Sequence, residues 1–129
     1  MDNKTILIID DNKTILLYIE AILKNKGFNV ISKLRATEAL IIMESSKIDM
    51  IICDVIMPEL TGLELFNILK TNQKYSNIPF ILMTGSINMQ KIKELKKEGI
   101  QTIIHKSNLI KELVIEINNN LLLEQNCEL

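Results

Sequence analysis

Three carboxylates, a hydroxyl and an ammonium stand where apolar runs of this chain end. Asp54 closes the run Met50-Ile51-Ile52-Cys53, and Asp10 and Asp11 close another, Ile6-Leu7-Ile8-Ile9. Thr84 ends Phe80-Ile81-Leu82-Met83, and Lys106 follows Thr102-Ile103-Ile104-His105. Acids crowded at neighbouring strand tips repel one another and need a positive partner. A hard divalent cation suits them, and Mg²⁺ characteristically takes one or two carboxylates together with waters. Asp54 has the chemistry of a nucleophile that forms an aspartyl phosphate. Lys106 offers a compact charge for phosphate oxygens, and Thr84 a hydroxyl to hydrogen-bond them. Phosphoryl transfer asks mainly for in-line positioning and charge neutralisation, which this set supplies.

Each residue alone has a plainer reading. Asp10 and Asp11 could favour a helix N-terminus; Asp54 could be a turn acid before Pro58, Thr84 a strand residue, and Lys106 a solvated charge. Taken together, polar groups at four strand tips are poorly explained as coincidence. No Cys/His cluster of the zinc type is present. His105, the chain's one histidine, reads as a structural strand-end residue.

The elements that must position these groups follow from periodicity. Strands are predicted at Thr5–Ile9, Asn29–Leu34, Asp49–Cys53, Phe80–Thr84 and Gln101–His105. Most are continuously apolar, as in a parallel sheet covered on both faces. Helices are predicted near Lys13–Lys26, Thr37–Ser45, Thr61–Asn72, Ile87–Glu98 and Leu109–Leu123. Gly27 and Gly99 stop two of them, and Thr61 and Ser107 or Asn108 can cap two others. Five βα units predict an α/β doubly wound five-stranded parallel sheet, flavodoxin-like in order 2-1-3-4-5, with helices on both faces. Strands one and three then flank the crevice at the carboxyl edge, which brings Asp10, Asp11 and Asp54 together.

The 129 residues make one domain, with a core over about residues 4–123 and a short tail. A composition of 47% hydrophobic and 24% charged residues with a net charge of −1 excludes wholesale disorder and gives no electrostatic footprint for nucleic acid. No apolar stretch is long enough for a membrane span, and no signal peptide precedes the first strand. Cys53 and Cys127 read as reduced thiols, and the setting expected is the cytosol.

The chain resembles the receiver domains of two-component response regulators. The resemblance covers essentially its whole length. It rests on Ile6-Leu7-Ile8-Ile9-Asp10-Asp11, on Ile51-Ile52-Cys53-Asp54 through Val55-Ile56-Met57-Pro58 to Gly62, on Met83-Thr84-Gly85, and on His105-Lys106-Ser107. It implies that Asp54 is the phosphoacceptor and Asp11 a direct Mg²⁺ ligand. Asp10 would act through a metal-bound water, and the Ile56 carbonyl would complete the protein ligands. Thr84 would move toward the phosphoryl group and Lys106 pair with it. The donor implied is a phosphohistidine on a histidine kinase or histidine phosphotransfer protein. The output surface implied is the face of helix four, strand five and helix five, with Met89, Ile92, Ile103 and Lys106.

Three positions depart from the family pattern. Ser107 stands where the family has a proline after a cis bond; a non-proline cis peptide is costly, so a trans or displaced loop is expected. Ile103 replaces a swinging aromatic with a stiff side chain, which suggests a constitutively apolar contact patch. Ile56 and Ser86 occupy positions that tune water access, and Ile56 cannot orient an attacking water, so slow self-dephosphorylation is expected. On the first helix Ile15, Tyr18, Ile19 and Ile22 are predicted as the core stripe, leaving Leu16 and Leu17 for partner docking. With no effector segment after the fifth helix, output is expected through a partner. Two alternatives stay open: a degenerate receiver that only binds, and a receiver segment of a longer regulator or hybrid kinase.

Overall fold

The computed structural model describes residues 3–85 and 88–122. Five parallel strands, β1 (Thr5–Ile9), β2 (Asn29–Lys33), β3 (Met50–Asp54), β4 (Phe80–Thr84) and β5 (Thr102–His105), form one sheet in the order β2-β1-β3-β4-β5. The predicted order is the one observed. Strand limits differ from expectation by one residue at most, chiefly because Asp54 joins β3 as its last residue.

Helices α1 (Lys13–Asn25), α2 (Ala36–Met43), α3 (Gly62–Lys70), α4 (Met89–Lys97) and α5 (Leu109–Ile117) cover both faces. Each runs slightly shorter than its sequence period suggests, since helix ends give way to turns. The start predicted for the fourth helix, Ile87, and the end predicted for the fifth, Leu123, lie outside the described residues, as does Cys127. After α5 the chain continues as a π-helical segment, Asn118–Leu122. Among the described residues no helix is long and apolar enough to cross a membrane.

Alternation along each buried strand divides the core into two layers. Ile6, Ile8, Met50 and Ile52 face α1 and α5, where they meet Leu16, Ile19, Leu23, Leu113 and Ile117. Leu7, Ile9, Ile51 and Cys53 face the other way and meet Ala39, Met43, Leu65, Leu69 and Leu95 from α2, α3 and α4. The strands read as unbroken apolar runs because neither face of the sheet's centre meets water.

The phase of α1 corrects one expectation. Leu16, Ile19 and Leu23 are buried, with Ile15 packed beside them, whereas Tyr18 is 56% exposed. Both stripes satisfy helical spacing, so periodicity alone cannot choose between them. Seating α1 on β1 and β2 selects the Leu16 stripe. Leu16 is therefore core, and Leu17, 59% exposed, stays at the surface with Tyr18.

Local chemistry explains where helices start. Asn12 caps α1, its side chain accepting from the N–H groups of Thr14 and Ile15. Thr61 and Glu64 form a reciprocal capping box at the start of α3. The predicted cap of α5 is realised differently. Asn108 occupies the cap position without a side-chain bond, and a 3₁₀ turn over Lys106–Asn108 precedes the helix.

Candidate functional site

The carboxyl edge of β1, β3, β4 and β5 gathers the chemistry. Asp10 follows β1 and is fully buried; its Oδ1 accepts the Asn12 N–H at 2.9 Å. Asp54 ends β3 and Thr84 ends β4, and both are buried. Asp11 is exposed at the mouth. One carboxylate oxygen from each of Asp10, Asp11 and Asp54 lies within 4.8 Å of the others. Lys106 follows β5 and directs its Nζ inward, 3.0 Å from Asp10 Oδ2 and 3.3 Å from Asp54 Oδ1.

Gly62 makes the geometry around Asp54 possible. A Cβ there would collide with the Asp54 carbonyl oxygen and stand 2.7 Å from Leu82 Cδ2. With no side chain, the start of α3 approaches β3 closely, and its N–H bonds the Val55 carbonyl at 3.0 Å. Val55 and Met57 are buried and anchor the intervening loop, while Ile56 is 66% exposed beside the acids. Across the loop's outer end, Arg35 pairs with Glu59 at 2.9 Å.

Charge is crowded here. Burial and then the charge of Asp10 push the Asp54 carboxyl up from 3.8 to about 6, with Asp11 adding to the rise and Lys106 opposing it. Burial alone would lower Lys106, but its close contact with Asp10 and the charges of Asp54 and Asp10 outweigh that and hold its ammonium above the ordinary value. Burial, helped by Asp54 and Asp10, raises the neighbouring Cys53 thiol well above its usual value, which keeps it unreactive.

Two features favour a cation. Asp10 Oδ2 is buried with no aligned hydrogen bond and meets Lys106 only as an ionic contact. The donors are hard oxygens at mutual distances that one ion can span. Three carboxylates against one ammonium leave an excess of negative charge, so the residues fit a divalent cation. His105 stands outside this cluster. Its Nδ1 instead meets Ser107, at 2.6 Å from Oγ and 3.2 Å from the backbone nitrogen.

The expected grouping of Asp10, Asp11, Asp54 and Lys106 is therefore present, with Thr84 at the neighbouring strand tip. Ser86 lies outside the described residues. The Lys106–Ser107 peptide is trans, since no cis bond occurs among the described residues. The pairing of Lys106 with Asp10 and the His105–Ser107 contact were not anticipated. The first has no sequence signal, because it depends on how distant strand ends are brought together; the second is a local contact two residues apart, set by the 3₁₀ turn after β5.

A family model for the response regulator receiver domain matches residues 6–118. The chain belongs to that family. Its receiver fold is also that of the signal receiver domain of a signal transduction histidine kinase from Syntrophus aciditrophicus. That structure has a TM-score of 0.84 and 27% identity over 92% of this chain and 89% of that one. Among relatives, histidine kinase P4 of Formosa agariphila is 32% identical over 118 residues, 92% of this receiver but 8% of the kinase. Chemotaxis protein CheY of Pseudomonas aeruginosa is 27% identical over 87% of this chain and 94% of its own length. Against four of the curated relatives it matches, the receiver spans 8% to 49% of their length.

Proposed function

We propose that this receiver accepts a phosphoryl group on Asp54 from a phosphohistidine of a histidine kinase or histidine phosphotransfer protein, and signals through a change at a partner-binding surface. The observation that supports it is the convergence of Asp54 with Asp10, Asp11 and Lys106 at one sheet edge. An Asp54 carboxylate oxygen attacks phosphorus as the P–N bond breaks, and the imidazole nitrogen keeps the bonding pair. Lys106, already 3.3 Å from Asp54, neutralises oxygen charge on the incoming group. Thr84, one strand away, donates its hydroxyl to the same oxygens. Asp10 and Asp11, with Asp54 and the Ile56 carbonyl, would hold Mg²⁺, which when bound would supply the remaining positive charge. The protein is a phosphoacceptor that assists its own modification rather than a turnover enzyme.

Exposed Leu17 and Tyr18 on α1 suit docking of the donor. The α4–β5–α5 face, where Met89 is 64% exposed and Ile103 is half-buried against the core, suits the downstream target. Relatives as different as a large kinase and a chemotaxis protein leave two settings for this receiver, a segment of a longer regulator or a single-domain protein.

Incubation with Mg²⁺ and a small phosphodonor tests the reading. The mass of one phosphoryl group should appear on wild type and be absent from Asp54→Asn. No label on wild type with any donor would leave a receiver that acts only by binding.

A further inference from the structure

His105 and Ser107 flank Lys106, and hydrogen bonds join them across it. His105 Nδ1 lies 2.6 Å from Ser107 Oγ and accepts the Ser107 backbone N–H at 3.2 Å. The one lone pair on Nδ1 takes both donors, so in the neutral ring the hydrogen sits on Nε2. That nitrogen is buried and has no hydrogen-bond partner. A residue present for packing alone would avoid such an unmatched donor, because burying one costs stability. The benefit must lie on the Nδ1 side of the ring.

The group capped there is the peptide that joins Lys106 to Ser107. Before it, His105 is held in the sheet opposite Thr84. After it, the Lys106 carbonyl accepts from the Leu109 N–H, and Leu109 is buried in the layer with α1 and α5. Lys106 thus leaves a backbone fixed on both sides, and its long side chain ends between Asp10 and Asp54. Without the imidazole cap, a short 3₁₀ turn at the surface would be left to aim a side chain with four torsions.

We infer that His105 is a positioning residue: its Nδ1 caps the Lys106–Ser107 peptide and thereby holds the Lys106 ammonium against Asp54. The inference rests on the phosphoryl-transfer reading above. It assigns His105 no contact with the phosphoryl group.

The test measures phosphorylation rate against phosphodonor concentration, with Mg²⁺, for wild type, His105→Ala, His105→Asn, Lys106→Ala and the His105→Ala/Lys106→Ala double variant. His105→Ala should lower the maximal rate about tenfold with little change in half-saturating donor, the signature of a misplaced charge. His105→Asn keeps a side-chain acceptor near the Ser107 N–H and should recover to within about threefold of wild type. The double variant should be no slower than Lys106→Ala, since His105 acts through that lysine. A His105→Ala rate within about twofold of wild type would overturn the inference, as would a double variant about tenfold below Lys106→Ala. His105→Asn as slow as His105→Ala would overturn it as well. Should His105→Ala fail to fold, the Asn variant decides alone: it must fold and label near the wild-type rate. Absence of label on wild type would instead overturn the phosphoacceptor reading and this inference with it.

Discussion

Replacing Asp54 with asparagine should stabilise the metal-free protein. The carboxylate is buried beside Asp10, and its folded value of about 6 stands above the ordinary 3.8 even with Lys106 in contact. At about 1.4 kcal/mol per tenfold change in proton affinity, that displacement costs the charged native state about 3 kcal/mol. Water reaching the carboxylate at the sheet edge screens part of it, which leaves about 2 kcal/mol for an isosteric neutral side chain to recover. The sign follows from linkage. The folded value is raised, so the native state binds the proton more tightly, and this group's contribution falls as pH rises from 3.8 to about 6, then levels. Urea unfolding in EDTA should therefore show Asp54→Asn more stable than wild type by about 2 kcal/mol at neutral pH, with the gap closing as pH falls toward that of free aspartic acid. Added Mg²⁺ should narrow the gap by stabilising wild type. A variant no more stable than wild type at neutral pH would refute the reasoning, and so would a gap unchanged by pH.

Other outcomes follow from the same geometry. Mg²⁺ at about one hundred times its dissociation constant should stabilise wild type by about 2.7 kcal/mol in a thermal melt. Asp11→Asn should abolish most of that gain, and an equal gain in the variant would remove Asp11 from the ligand set. Gly62→Ala should destabilise by about 2–3 kcal/mol through the clash with the Asp54 carbonyl and Leu82; a melt unchanged from wild type would show that α3 can move away. Exposed, apolar Ile56 gives an attacking water no hydrogen-bond partner, so phosphate on Asp54 should persist for minutes or longer once the donor is removed. Loss of label within seconds would contradict this.

Much of this molecule could be read before any coordinates. Unbroken apolar runs such as Ile6-Leu7-Ile8-Ile9 marked strands buried on both faces, because a parallel sheet leaves its central strands no wet side. Right-handed crossovers then constrained the order, and the order placed Asp10, Asp11 and Asp54 together. The phase of α1 was not legible. Ile15–Tyr18–Ile19–Ile22 and Leu16–Ile19–Leu23 are both acceptable helical stripes, and only docking on β1 and β2 buries the second.

The limit is the same at the site. Residue types and strand ends, which are local properties, determined that three acids, a threonine and a lysine would share the carboxyl edge. The tertiary structure alone decided that Lys106 bridges Asp10 and Asp54 and that Asp54 is raised to about 6. Those depend on distances of about 3 Å between side chains remote in sequence, where a shift of one ångström turns an ion pair into a screened, solvent-separated charge.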